Sequence, residues 1–310
     1  MEYRELGKTG MKVSSLSFGA SSLGGVFHPI SEKEGIKAVH TAVDNGINFI
    51  DVSPYYGYLK AENVLGKALK EIDRNRYYLS TKVGRYGKDG ENHWDYSAKK
   101  SKESVYESMD RLNIDYIDLI NVHDIEFADL DLVINETLPA LVELKEKGVV
   151  KHIGLTNLTL KHFKYVIDNV PSGMVDTILS FCHYCLIDDA LVDYLEYFEN
   201  KEIGVINASP FSMGLLTERG APSWHPAPKP LQELSKKAVQ YCKSEGKSIE
   251  QLAIKYSISN PRIATTLFST SRSEAVLQNI KWAKEPLDEH LLLKVQEILA
   301  PRFRDTWLNS

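Results

Sequence analysis

Four side chains in the first 125 residues have the types needed to interconvert a carbonyl and an alcohol: Asp51, Tyr56, Lys82 and His123. Moving a hydride between a carbon and a nicotinamide requires a group that gives or takes a proton at the neighbouring oxygen. A tyrosine hydroxyl can do this, although its ordinary pKa of about 10 is high for exchange near neutrality. A lysine ammonium beside it favours the phenolate and is expected to lower that value. A carboxylate paired to the lysine would hold it in place, and a histidine at the oxygen would orient the substrate. Tyr56 is thus the expected acid/base, Lys82 and Asp51 its tuners, and His123 the positioning group. Each residue alone has a plainer explanation. A strand-end aspartate often caps the next helix, a strand-end lysine is often a solvated rim charge, and a tyrosine beside a loop proline often packs.

What joins the four is the pattern of elements that carries them. Short β-rich runs alternate with amphipathic helical stretches, the signature of a parallel α/β fold. The candidate strands are 16–18, 47–51, 77–83, 116–122, 150–156, 175–180, 204–208 and 263–268. Between them, Ile36, Val39 and Val43 recur at helical spacing, as do Val64, Leu65, Ala68 and Leu69, and Val105, Met109 and Leu112. Gly46 and Gly148 are expected helix stops. Eight strands with helices between them predict a single closed (β/α)8 TIM barrel spanning residues 1–310, and 310 residues suit such a barrel with insertions. A doubly wound dinucleotide fold would need G-x-G-x-x-G after the first strand, and Gly19-Ala20-Ser21-Ser22-Leu23-Gly24-Gly25 does not have that spacing. A barrel of this kind works at the C-terminal ends of its strands. The second strand runs into Asp51-Val52-Ser53-Pro54-Tyr55-Tyr56-Gly57, the third ends in Ser80-Thr81-Lys82, and the fourth reaches His123-Asp124. Three neighbouring strand ends therefore bring the four groups to one rim.

These segments, with Tyr3-Arg4-Glu5-Leu6-Gly7-Lys8-Thr9-Gly10, Gly154-Leu155-Thr156-Asn157 and the late Gln278-Asn279, resemble the aldo-keto reductase superfamily along almost the whole chain. Asp51-Val52-Ser53-Pro54-Tyr55-Tyr56-Gly57, His123-Asp124-Ile125-Glu126-Phe127, Ser180-Phe181-Cys182-His183-Tyr184 and Ser223-Trp224-His225-Pro226 are similar, more narrowly, to its L-galactose dehydrogenase branch, which oxidises free aldoses at C1. The resemblance places the catalytic tetrad on Asp51, Tyr56, Lys82 and His123. It implies that Thr156 and Asn157 bind the nicotinamide carboxamide. It also implies that the run 207–216, with Ser209, Phe211, Met213, Gly214 and Leu215, cradles the pyrophosphate. Ala208 departs from the family, where a tyrosine commonly stacks on the nicotinamide. Relatives that prefer NADPH hold its extra phosphate with a lysine and an arginine before the Gln278-Asn279 pair; here Ser269 and Ala275 stand there, and both are neutral. This implies NAD as cofactor, with Arg272 nearby as a means of accepting NADP. Trp94 and His183, with Tyr56 and His123, are the expected walls of a sugar pocket. Reduction of small aldehydes or ketones with NADPH is the alternative activity. A non-catalytic cofactor-binding subunit is a more distant one, with no need of an intact tetrad.

Composition narrows the partners to small molecules. Apolar residues make up 43% and charged residues 25% of the chain, and the net charge of −5 leaves no basic footprint for nucleic acid. No run of about 18 apolar residues is present to span a membrane. Three cysteines, an odd number in a long chain, suit a reducing, cytoplasmic setting. A monomer or weak homo-oligomer is expected. A metal-dependent barrel hydrolase would want a His-x-His after the first strand, and Leu16-Ser17-Phe18-Gly19-Ala20 has none. Cys182-His183-Tyr184-Cys185 has C-x-x-C spacing but no second pair, so no metal is assigned. The stretch 222–230 carries four prolines and is expected to be a rigid surface loop.

Overall fold

The computed structural model describes residues 1–26, 29–87, 94–305 and 307. Eight parallel strands close into a barrel: β1 (Leu16–Gly19), β2 (Phe49–Asp51), β3 (Tyr78–Val83), β4 (Ile117–Val122), β5 (Val150–Asn157), β6 (Thr177–Phe181), β7 (Gly204–Ala208) and β8 (Thr265–Ser269). They follow one another around the barrel in chain order, β8 pairing with β1. All eight candidate strands are present, with ends displaced by no more than two residues.

The helices form where the apolar spacing places them. Glu32–Asp44 buries Ala38, Val39, Ala42 and Val43; Lys60–Leu69 buries Val64, Leu65 and Ala68; Ala98–Leu112 buries Val105 and Leu112. Each such side chain taken out of water contributes roughly 1.5–3 kcal/mol for the larger aliphatics. Gly46, at φ 91°, donates its N–H to Val43 O and stops the first helix just before β2.

A short hairpin, Tyr3–Glu5 against Lys12–Ser14, precedes the barrel and is not apparent from the sequence pattern. It seals the N-terminal end. Leu6, Met11 and Val13 bury themselves with Phe49, Leu119, Leu179, Ile206 and Leu267, which point into the barrel. Two helices outside the eightfold repeat, Lys229–Ser244 and Glu289–Leu299, pack on each other. The proline-rich loop is shorter than expected: Lys229 and Pro230 already belong to the first of these helices, since proline suits the first helical turn, where an N–H has no intrahelical partner. Among the described residues, no helix is long and apolar enough to cross a membrane.

Candidate active site

Residues that face one side of a strand recur every second position, and this determines the inner rim. Asp51 ends β2 opposite Ser80 of β3, and Lys82 lies two residues beyond Ser80 on the same face. Lys82, 1% exposed, donates from Nζ to Asp51 Oδ2 at 2.5 Å and to Val52 O at 2.7 Å. Ser80 Oγ donates to Asp51 Oδ1 at 2.9 Å, and Asn121 of β4 donates to Ser80 Oγ at 2.8 Å. Burial alone would depress the Lys82 ammonium, but the attraction of Asp51 and Tyr56 outweighs it and holds the pKa above its ordinary value. Lys82 is therefore a fixed cation.

Tyr56 sits in the loop after β2. That loop is pressed against the turn after β1 by two glycines. A Cβ on Gly24 would lie 2.6 Å from Tyr56 O, and one on Gly57, which has φ 62°, would lie 2.1 Å from Gly24 O. Only backbones without side chains can come so close, and this contact sets the Tyr56 main chain. The Lys82 Nζ lies 4.9 Å from the Tyr56 ring centroid and within hydrogen-bonding reach of its hydroxyl. The phenol is nonetheless pushed up to about 12. Desolvation raises it, and the carboxylates of Asp51 and Asp124 add to that, so that Lys82 only partly offsets them. The expected net lowering by lysine does not hold in the protein alone.

His123 follows β4, its N–H donating to Val83 O at 2.8 Å, and its ring meets Tyr56 edge-on at 5.8 Å between centroids. Burial, then the positive charges of Lys82 and Arg85, hold its pKa well below the ordinary value, so the imidazole is neutral. Its Nδ1 lies 3.1 Å from Ser53 Oγ, which already accepts the Tyr55 N–H at 3.1 Å. The single hydroxyl proton of Ser53 is thereby free to donate to Nδ1. With that proton given to Nδ1, the ring hydrogen sits on Nε2, which lies 3.5 Å from Asp124 Oδ2.

The tetrad lines one cavity of about 300 Å³ at the C-terminal rim of the barrel. Thr156, Ser209, Phe211, Met213, Gly214 and Ser269 line it too, as expected of residues that hold a dinucleotide. Ser209, Ser212, Met213 and Gly214 all have positive φ, which coils the loop after β7 around the opening. Arg219 and Trp224 extend this wall. His225 ties the loop down: its Nδ1 accepts from Ala227 N and its Nε2 donates to Ser212 O at 3.0 Å. Ser269 Oγ accepts from Ser21 Oγ and Ser22 N, fastening the turn after β1 to β8. Asn279 is buried, and its side-chain oxygen has no partner among the described residues, an acceptor left for a bound group. Gln278 and Arg272 are exposed, Arg272 at the N-terminal cap of Ser273–Lys284. This donor set fits a nicotinamide dinucleotide.

Four expected site residues are placed otherwise. His183 is buried away from the cavity: its Nε2 lies 2.6 Å from Leu158 O and its Nδ1 3.2 Å from Asp188 Oδ1, so it braces two loops. Asn157 spends its amide on the main chain, accepting from Glu126 N at 2.8 Å and donating to Thr159 O at 2.7 Å. Leu215 faces the core. Trp94 is not a cavity wall either; it stacks on Phe127 at 4.4 Å and supports Arg85, whose guanidinium carbon is 4.3 Å from its ring centroid. Arg85 and Asp124, absent from the expected set, do line the cavity. Arg85 is two residues past β3, a position at which alternation no longer says which way a side chain points.

A family model described as "Aldo/keto reductase family" matches residues 15–300. The chain belongs to this family. It is similar to L-galactose dehydrogenase of Arabidopsis thaliana, with 47% identity over 99% of this chain and 97% of the plant protein. It is similar also to D-arabinose 1-dehydrogenase of Saccharomyces cerevisiae, with 34% identity over 70% of this chain and 67% of the yeast protein. Among solved structures, an aldo-keto reductase from Bacillus halodurans in its holo form superposes with a TM-score of 0.79 at 26% identity, covering 96% of both chains. The aldo/keto reductase described here is thus an oxidoreductase built on the family's eight-stranded barrel.

Proposed function

We propose that this aldo/keto reductase oxidises a free aldose at C1 to its lactone with NAD, L-galactose being the preferred sugar. The observation that carries the proposal is the identity of 47% to the plant L-galactose dehydrogenase along essentially the whole chain. The cavity chemistry supports it. Bound at the loop after β7, the dinucleotide would supply the hydride acceptor. Tyr56 Oη takes the proton of the anomeric hydroxyl as the C1 hydride departs, and the C1–O1 bond becomes the lactone carbonyl. Lys82 stabilises the phenolate before that step, Asp51 holds Lys82, and the Nε2–H of His123 donates to the reacting oxygen. Thr156, Ser209, Phe211, Met213, Gly214 and Ser269 bind the dinucleotide, Asn279 accepts from it, and Gln278 precedes Asn279 on the same helix. The neutral Ser269 and Ala275 favour NAD, and the three free cysteines suit a cytosolic enzyme.

Initial rates with a panel of free L- and D-aldoses, NAD and NADP side by side, test the proposal against NADPH-dependent reduction of 4-nitrobenzaldehyde. Oxidation of L-galactose with NAD at the highest kcat/KM is expected. Efficient aldehyde reduction with no oxidation of any aldose would overturn the sugar assignment. Equal kcat/KM for the two cofactors would overturn the NAD preference and point to Arg272 as the phosphate clamp.

A further inference from the structure

Arg85 and Asp124 form a second ion pair in the cavity, half-buried at the arginine, one the proton-transfer chemistry does not use. Arg85 Nη1 donates to Asp124 Oδ2 at 2.6 Å, with side chains 20% and 8% exposed. The guanidinium is held flat: its carbon lies 3.6 Å from the Tyr55 ring centroid and 4.3 Å from that of Trp94. Its Nε is buried and has no hydrogen-bond partner among the described residues. Asp124 is fixed as firmly. It adopts φ 47°, uncommon for a residue with a side chain, and donates its N–H to Thr156 Oγ1 at 2.9 Å, while the Tyr96 hydroxyl reaches the carbonyls of residues 123 and 124.

We propose that Arg85, paired with Asp124, is the specificity-determining anchor for the ring hydroxyls of a neutral sugar. A planar fork of donors beside a carboxylate acceptor matches adjacent hydroxyls, each of which donates and accepts. Charge decides the class of substrate. Lys82 is compensated by Asp51, Arg85 by Asp124, and His123 is neutral, so around the tetrad no cation among the described residues is left unpaired for a carboxylate; Arg219, which also lines the cavity, is exposed on the loop after β7. Sugars bearing only hydroxyls are therefore accepted, and uronic acids are discriminated against. The inference rests on the aldose reading above and specifies the contacts that select the sugar.

The test compares wild type, Arg85→Gln and Asp124→Asn on three substrates: L-galactose with NAD, D-galacturonate with NAD, and 4-nitrobenzaldehyde with NADPH. Arg85→Gln should lower the ratio of L-galactose to aldehyde kcat/KM about 10–100-fold, mostly through KM for the sugar, a ratio that cancels the effect of the lost charge on His123. Asp124→Asn exposes the Arg85 charge and should raise the ratio of galacturonate to L-galactose kcat/KM at least about tenfold. The ratio cancels any general effect on the neighbouring His123. Equal loss on sugar and aldehyde in Arg85→Gln, or an unchanged ratio in Asp124→Asn, would overturn the proposal. Should Arg85→Gln melt early, Arg85→Lys, which keeps the charge and loses the fork, is expected to show the same selective loss on L-galactose. A wild type that oxidises no aldose would instead overturn the functional reading itself, and this inference with it.

Discussion

The placement of Tyr56 depends on a contact between two main chains, and Gly24→Ala tests it. Gly24 has no positive φ, so alanine fits its backbone, and the only new element is a Cβ at 2.6 Å from Tyr56 O and 2.8 Å from Gly57 N. That is about 0.8 Å short of the 3.4 Å at which ordinary contact begins, and the nearest neighbours are main-chain atoms that cannot swing aside. The Tyr56 loop must therefore retreat by most of an ångström. A misplacement of about 1 Å at a reacting group costs on the order of 10²-fold in rate, and overpacking of this kind typically destabilises by about 1–3 kcal/mol. The expected result is a kcat about 10²-fold below wild type, a melting temperature lower by several degrees, and dinucleotide binding, read by quenching of protein fluorescence, close to normal. A kcat within about threefold of wild type would refute the argument that this contact positions the tyrosine. So would a rate loss matched by an equal loss of dinucleotide binding, since the damage would then lie in the Ser21–Ser22–Ser269 tie.

Three further perturbations address the proton path. Tyr56→Phe should reduce turnover about 10²–10⁴-fold or more while leaving dinucleotide binding near normal, and retention of most of the rate would displace Tyr56 as the acid/base. Ser53→Ala removes the hydroxyl that partners His123 Nδ1; kcat should fall about tenfold with KM little changed, and Ser53→Thr should restore it. Because the Tyr56 phenol stands at about 12, the base form needed for oxidation is scarce at neutral pH. Oxidation should speed up as pH rises through about 7–9 and reduction should stay level, whereas an oxidative rate already flat at neutrality would show a far more acidic phenol.

The sequence pattern reveals the barrel because barrel strands are apolar on both faces and their helices on one, a contrast that survives without coordinates. The N-terminal hairpin escapes the same reading. Its strands are three residues each, and Glu5, Lys8 and Lys12 mask the three buried residues Leu6, Met11 and Val13 that seal the barrel. The tetrad is legible for a related reason. Asp51 and Lys82 are strand residues, and His123 follows its strand directly, so period-two alternation still predicts their direction. Beyond the strand ends that rule lapses. His183 and Arg85 both lie two residues past a strand, both are polar, and nothing in their spacing says that the histidine turns to Leu158 O and the arginine to the cavity. The rings of Tyr55, Trp94 and Phe127 that surround the guanidinium come from separate parts of the sequence, so only the fold brings them to Arg85.

Electrostatics is the level least accessible from residue types. Reading Lys82 beside Tyr56 suggests an acidified phenol, because pair attraction can be inferred from spacing. Desolvation and the carboxylates of Asp51 and Asp124 cannot be weighed until the fold is known, and here they outweigh the lysine. The consequence is a site whose buried charges cancel in pairs, Lys82 with Asp51 and Arg85 with Asp124, around a neutral imidazole. In such a site the phenol has no surplus cation to draw out its proton, so the ionisation needed for sugar oxidation must be assisted by positive charge that arrives with the ligands. An oxidised nicotinamide ring held by the loop after β7 would supply that charge, and a reduced ring would not. One tyrosine can therefore serve as base toward an alcohol and as acid toward a carbonyl, with no rearrangement of the protein groups that hold it.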